Sequence, residues 1–563
     1  MTRRSTRPIP SLSALAIIWF ACLAPAHAAA AQQPGSRPPA PAAATATLSG
    51  RVTIASEGDT PVRRARITLE SDALPQVQLA DSDADGRFRF DRLPAGAFRL
   101  RAEKPGFVTL AFGARHAFDR GLPIDLKAGQ TRAIEVALPR GAALDGRVIN
   151  QDGDPVQNLV VSAVRLTYGP YGRQPLSLKD TRTDDLGRYR IHSLPPGDYY
   201  VQAAPDPLDA VTERQAPGPR PPGVARTYYP GTASPSDAER ISLVAGRDAT
   251  SLDFTVTGVP MARVVLLVVD GTGKAPRALA TRLQRVGAPP GEVRGMLQAN
   301  QSMFPSVPPG EYWAMAAATP SSGTDPEFAA VRATVSGSDL NLTLTTARGM
   351  VLNGRLQVEG GEVAATPGLR VVADTVGYEL PNPAGSGAPA APAPVVGADG
   401  RFVIPSLFGP RLFRVSGLKD GWALLSVRLG ETDITDVPMD VKPADPAVEL
   451  IVVVTNHTGA ISGTLTDARK RLVPNGRVVV FPDDQRQWTV RSRFVKTSLA
   501  GIDGSYSIGS LLPGKYLICG LDWLDDGAWL DPDVLRRLRA FASPVTIKGD
   551  DRQTIALTLG ELR

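Results

Sequence analysis

Three histidines downstream of residue 28, His116, His192 and His457, are the first candidates for metal chemistry. A carboxypeptidase-type zinc site begins His-x-x-Glu, but these histidines are followed three residues on by Asp119, Pro195 and Ala460. No His-Glu-x-x-His stretch occurs, so a zinc peptidase is excluded as a reading. Asp81-Ser82-Asp83-Ala84-Asp85-Gly86 resembles half of a calcium loop, yet Arg92 stands where the closing carboxylate belongs. It reads as a hairpin turn. Gly509 to Tyr516 superficially fits a phosphate loop, but Tyr516 replaces the magnesium-holding hydroxyl and the setting is strand-turn-strand. No Gly-x-Ser-x-Gly elbow with triad partners is present. Cys519 sits in the apolar strand pattern Tyr516-Leu517-Ile518-Cys519 and reads as a buried small hydrophobe. Large aromatics are the one hint of a ligand. Tyr228 and Tyr229, with Trp488, Trp523 and Trp529, could stack on sugar rings, or could fill cores between sheets. No catalytic residue, cofactor or metal is expected.

The elements that carry these residues repeat. A turn, a strand and a second turn recur at intervals of roughly a hundred residues. The first copy is Asp85-Gly86-Arg87-Phe88-Arg89-Phe90 followed by Leu93-Pro94-Ala95-Gly96. Others run from Leu186 to Tyr199, Asp399 to Pro410 and Asp503 to Tyr516; the third keeps only Val307 to Tyr312. Alternation of Phe88 and Phe90, or Tyr506 and Ile508, with polar residues is the period of a strand buried on one face. Asp-Gly before the strand and Pro-Gly after it supply the reversals. An opening motif precedes each copy: Leu48-Ser49-Gly50-Arg51, Leu144-Asp145-Gly146-Arg147, Leu352-Asn353-Gly354-Arg355 and Ile461-Ser462-Gly463-Thr464. The third unit lacks the glycine, with Met261-Ala262-Arg263-Val264 read in its place.

The expected fold class is therefore all-β: a tandem array of about five seven-stranded Greek-key β-sandwiches. Their boundaries are read as 46–140, 141–258, 259–346 (degenerate), 347–456 and 457–563, with a short helix near 531–542. Asp531 caps that helix and Pro532 opens it. Pro383 to Pro394 is read as a loop inside unit four. Short connections such as Pro139-Arg140 suggest a rod of rigid units.

Length and composition agree. The chain has 563 residues, 43% hydrophobic and 21% charged, with 54 Gly and 51 Pro, which suits a turn-rich multidomain protein. Residues 1–28 read as a secretory signal: Arg3, Arg4 and Arg7, then apolar Leu12 to Leu23, then Ala26-His27-Ala28. Residues 29–45 read as an Ala/Pro linker that is disordered. Cys22 raises a lipoprotein alternative, although Trp19-Phe20-Ala21 is a poor lipobox. Later apolar runs, such as Val264 to Val269, have strand rather than membrane length. Losing three arginines with the signal takes the net charge from +6 to +3. No basic stripe interleaved with aromatics exists, so nucleic acid is not an expected partner.

Unit two combines Gly146-Arg147-Val148, Asp152-Gly153-Asp154-Pro155-Val156, Thr183 to Tyr189 and Leu194 to Val201. This pattern resembles the carboxypeptidase regulatory-like domain. Units one and five resemble it well, unit four moderately and unit three poorly. The resemblance implies a transthyretin-like, carbohydrate-binding-like sandwich with an accessory, non-catalytic role. Similar pilin-type sandwiches carry Lys–Asn isopeptide bonds, but none of the opening motifs contains the required lysine. Two functions follow as expectations. One is a secreted or periplasmic scaffold that meets cell-envelope proteins. The other is a protein that binds a polysaccharide or cell-wall glycan.

Overall fold

The computed structural model describes residues 45–169, 172–206, 222–288, 291–322, 325–359, 368–376, 394–442 and 449–560. The expected signal (1–28), the linker up to residue 44 and the 383–393 part of the unit-four loop lie outside the described residues.

Two facing sheets form within each sequence unit. The first and fourth units each pair a three-stranded sheet with a five-stranded one, the third and fifth pair two four-stranded sheets, and the second adds to its three- and five-stranded sheets a two-stranded ribbon of Gly223–Val224 and Gly258–Val259. More strands than the expected seven reflect short pieces such as Leu110–Ala111 and Leu557–Thr558. Each pair encloses its own apolar core: Leu48, Phe90 and Phe98 in the first unit, for example, or Val264, Tyr312 and Ala314 in the third.

One architectural rule runs through all the units. The opening strand is flanked by the turn strand on one side and the unit's closing strand on the other. Ala46–Ile54 pairs antiparallel with Arg87–Leu93 and parallel with Thr131–Leu138. The same parallel pairing joins Ala142–Ile149 to Phe254–Thr255, Ala262–Val269 to Leu340–Thr345, Met350–Val358 to Leu450–Thr455, and Gly459–Thr466 to Arg552–Thr554. A parallel neighbour needs a long crossover, and here the strands of the second sheet fill the connection.

The repeated glycine has a geometric cause. Gly50, Gly146, Gly354 and Gly463 stand directly across from Phe88, Tyr189, Phe402 and Tyr506. A Cβ on Gly146 would lie 2.2 Å from the Leu252 carbonyl oxygen, and one on Gly463 would lie 1.8 Å from that of Ile555. The aromatic ring folds over the space the glycine leaves, and the Tyr189 and Tyr506 hydroxyls donate to those same two carbonyls at 2.8 Å. Register also corrects the reading of unit three. Its equivalent of Gly50 is Leu266, two residues beyond Val264, and Leu266 faces Ser302, which is 1% exposed. The large and small partners have changed places, so this unit keeps two sheets and a core without the glycine.

The second turn is held by a second repeated bond. Tyr199, Tyr312 and Tyr516 each donate to the carbonyl four residues back, at 2.8, 2.8 and 2.9 Å. Burial pushes each of these phenols up to about 12. In unit four, buried Arg411 takes the position and donates to the Phe408 carbonyl at 2.6 Å.

Adjacent units join through a bulge in the turn strand. Ser193 and Ser510 occupy left-handed backbone there, at φ 63° and 57°. The Gly106 N–H of unit one donates to Ser193 Oγ at 2.8 Å, and the Gly421 N–H of unit four donates to Ser510 Oγ at 3.1 Å. The Gly106 and Gly421 carbonyls accept in turn from Gly141 N–H at 2.9 Å and Thr458 Oγ1 at 2.6 Å. The one-to-two and four-to-five joints are thus the same device.

Candidate functional site

Unit five carries five aspartates in twelve residues, from Asp522 to Asp533. A turn, a 3-10 segment at Ala528–Leu530 and a helix at Pro532–Leu538 present them. The helix is shorter than the expected 531–542. Asp531 caps it by accepting from the Asp533 N–H at 2.9 Å, and Pro532 opens it as the sequence suggests. Leu535 and Leu538 sink into a core formed with Val479, Phe481 and Trp488 on the outer face of the unit-five sheet.

The aspartates meet cations from the start of the chain. Asp522 forms an ion pair with Arg115 at 2.8 Å and contacts His116 Nε2 at 2.9 Å. Asp525 accepts from Arg165 Nη2 at 2.7 Å, and its other oxygen accepts from Trp523 Nε1 at 3.0 Å. Arg173 donates to Asp531 at 2.8 Å and to Asp533 at 2.7 Å. These hydrogen bonds, first from Asp531, raise the Arg173 guanidinium further above its ordinary range, and the Arg173 bond holds the Asp533 carboxyl below its own. Gly527 fixes the spacing. At φ +84° it lies so close to the Val160–Gly169 strand that a Cβ would stand 2.1 Å from the Tyr168 carbonyl oxygen. Unit five therefore folds back onto units one and two. The rod suggested by short linkers is corrected by this contact.

The five aromatics singled out in the sequence fall into three settings. Tyr228 is buried in a two-residue strand, 2% exposed, and Tyr229 packs edge-on against Phe254 with centroids 6.1 Å apart. Trp488 is 5% exposed, packs against Phe481 and donates to the Pro482 carbonyl at 2.8 Å. Trp523 stacks on His116 at 5.5 Å and 21°, inside the contact with unit one. Trp529 lies beneath the Arg477 guanidinium at 4.4 Å. The structure brings Trp523 and Trp529 to the acidic loop and leaves the tyrosines elsewhere. Sequence reasoning missed the partners Arg115, Arg165 and Arg173. The density of aspartates was a visible signal, but nothing local names residues about 360 positions away as their mates.

The other sequence motifs are structural. Asp83 Oδ1 accepts from the Asp85 and Arg87 N–H groups at 2.9 and 2.8 Å, closing the hairpin turn. Gly509 to Tyr516 spans the end of one strand and the start of the next. Among the described residues, no three His, Cys, Asp or Glu side chains form a group that could hold a metal. No helix of the described residues is long and apolar enough to cross a membrane.

The fold and the contact surface define a nearly all-β chain of packed sandwiches, in which the acidic loop binds other parts of the same molecule. Residues 47–139 and 143–257 each match the carboxypeptidase regulatory-like domain family. This is a non-catalytic type of domain. The chain is also similar to solved structures of bacterial proteins. A minor pilin of Streptococcus agalactiae is 16% identical over 38% of this chain and 97% of that one, with a TM-score of 0.21. The shaft pilin SpaA of Lactobacillus rhamnosus GG is 9% identical over 38% and 98%, with a TM-score of 0.18. The Bacillus anthracis TIE protein is 12% identical over 89% and 69%, with a TM-score of 0.13. No curated protein matches the chain.

Proposed function

We propose that this is an exported, non-catalytic scaffold of the cell envelope. It is built from five sandwich domains at 46–140, 141–258, 259–346, 347–456 and 457–563, and it offers its surface to envelope proteins. One observation carries the reading: each of the five aromatics singled out in the sequence is engaged inside the molecule, in a core, against His116 or beneath Arg477. A carbohydrate module that binds by stacking needs a free ring face. The joints at Ser193 and Ser510 and the acidic loop support the same reading, because they spend polar groups on holding units together. Export rests on residues 1–28, whose basic, apolar and Ala-x-Ala parts follow the order of a signal.

The test is retention of the full chain on isolated cell-envelope material. The scaffold reading expects retention that disappears when the envelope is treated with protease. Retention that survives protease and is competed away by soluble polysaccharide would replace it with the glycan-binding reading.

A further inference from the structure

An open cavity of about 480 Å³ lies at the joint between units four and five. Arg414, Arg491 and Arg493 line it with Lys496 and Lys419, and Asp374 and Asp420 are the carboxylates in its lining. Two carboxylates pair with the three arginines. Asp436 accepts from Arg414 and from Arg493, each at 3.1 Å, and Asp374 pairs with Arg491. Backbone carbonyls take further guanidinium N–H groups: Thr435 from Arg414 at 2.6 Å, and Leu425 from Arg493 at 2.7 Å. Lys496 is half-buried and has no hydrogen-bond acceptor among the described residues. Burial without a partner lowers its ammonium below the ordinary lysine range.

The repeat supplies an internal comparison. Lys496 pairs across its sheet with Val480, which neighbours Ile518; Lys179 pairs with Ala163, which neighbours Val201. The two lysines therefore hold the same place in units five and two, each at a joint with the preceding unit or its equivalent. Lys179 is satisfied, donating to the His192 carbonyl at 2.9 Å. Gly509 stands where His192 does, and no such bond forms for Lys496. A half-buried lysine with no acceptor among the described residues, beside three arginines that share Asp374 and Asp436, is an arrangement that an anion completes.

We infer that the cavity between units four and five binds a small anionic group, a carboxylate or a phosphate, through Lys496 with Arg414 and Arg493. Free small anions and acidic groups on sugars both present this chemistry.

The test uses the full chain, with titration calorimetry and thermal unfolding against inorganic phosphate, glucuronate and neutral glucose. Phosphate or glucuronate should bind saturably and raise the unfolding temperature, and glucose should do neither. Glucuronate binding more tightly than phosphate would identify an acidic sugar as the source; the reverse order would identify a free anion. Lys496→Met should weaken anion binding about tenfold, the loss expected for one charge-assisted hydrogen bond. Lys179→Met should leave binding unchanged. Lys496→Met should also unfold at a temperature close to that of the parent without anion, since it removes no hydrogen bond within the described residues; that measurement separates lost binding from lost fold. No saturable binding of either anion, or equal weakening by both lysine variants, would overturn the assignment.

Discussion

Leu266 faces Ser302 across the third unit's central strand pair, where the other units place a glycine opposite an aromatic ring. Ser302 Oγ accepts from the Thr281 hydroxyl at 2.6 Å, so its polar atom is satisfied while its small size makes room for leucine. The exchange predicts a specific coupling. Ser302→Phe alone overfills the site and should cost about 1–3 kcal/mol. Leu266→Gly alone should cost about 2–5 kcal/mol through the cavity it opens. Together they recreate the arrangement of Gly354 and Phe402, and the double variant should be more stable than the sum of the single losses by about 1 kcal/mol or more. Hydrogen exchange in Ala262–Val269 is the readout, because several cores need not unfold as one transition. Strict additivity would show that the two positions do not compensate.

The acidic loop should release units one and two when its closest approach is blocked. Gly527→Val puts a branched side chain where a Cβ already meets the Tyr168 carbonyl at 2.1 Å, on backbone that disfavours any side chain. Spin labels at exposed Leu176 and Ala540 should report one narrow distance in the parent and a broad distribution in the variant. Arg173→Met should broaden it less, because partly exposed ion pairs contribute about 0–1 kcal/mol each. Asp531 is a poorer target, since its loss would also uncap the helix. An unchanged narrow distance in Gly527→Val would show that the contact does not hold unit five in place.

What could be read from sequence was what neighbours in sequence decide. Asp85-Gly86 and Asp503-Gly504 announce turns because glycine alone adopts their left-handed backbone cheaply, and both glycines do so, at φ 76° and 68°. The turn strands followed from period two, and the capped helix from Asp531-Pro532. The parallel closing strands were not legible, since alternation does not say which neighbour a strand chooses. The glycine position of unit three was read too early in the chain, near Ala262 rather than at Leu266, because both members of its pair had changed together. The contacts of Arg115, Arg165 and Arg173 were invisible for a simpler reason: ion pairs across the folded chain leave no periodic trace. The aromatics carried size but not direction, and exposure rather than residue type decides whether Trp523 meets a sugar or His116.

Two histidines should titrate on opposite sides of the ordinary value near 6.5. The hydrogen bond with Asp550, at 3.1 Å, raises His457, whereas burial lowers His192, with Lys179 and Arg190 adding to the effect. For His457, the folded state binds the proton more tightly than the unfolded chain does. Its contribution to stability is fully present below the unfolded value and is lost as pH rises through the raised folded value. For His192 the sign reverses: folding is penalised as pH falls through the unfolded value and below, and the penalty is absent above it. Proton NMR of the imidazoles checks the order. Asp550→Asn should bring His457 back toward 6.5 and leave His192 unmoved. A His192 that titrates at or above His457 would contradict the environments described.

Cys519 should be chemically silent until unit five opens. Its side chain is 3% exposed between Val479 and Leu521, and burial pushes the thiol up to about 12. Reaction with a disulfide reagent requires both access and a thiolate, and the folded unit withholds both at neutral pH. Modification of the native protein should therefore be slow and should track the local opening of Gly514–Leu521, accelerating with denaturant in parallel with hydrogen exchange in that strand. The Gly527→Val variant should leave the rate near that of the parent, because Cys519 packs against Val479 and Leu535 rather than against units one and two. Fast, stoichiometric labelling in native buffer would mean that the core beneath the helix is open. An accelerated rate in Gly527→Val would mean that release of the acidic loop opens that core as well, tying the outer core of unit five to its contact with the start of the chain.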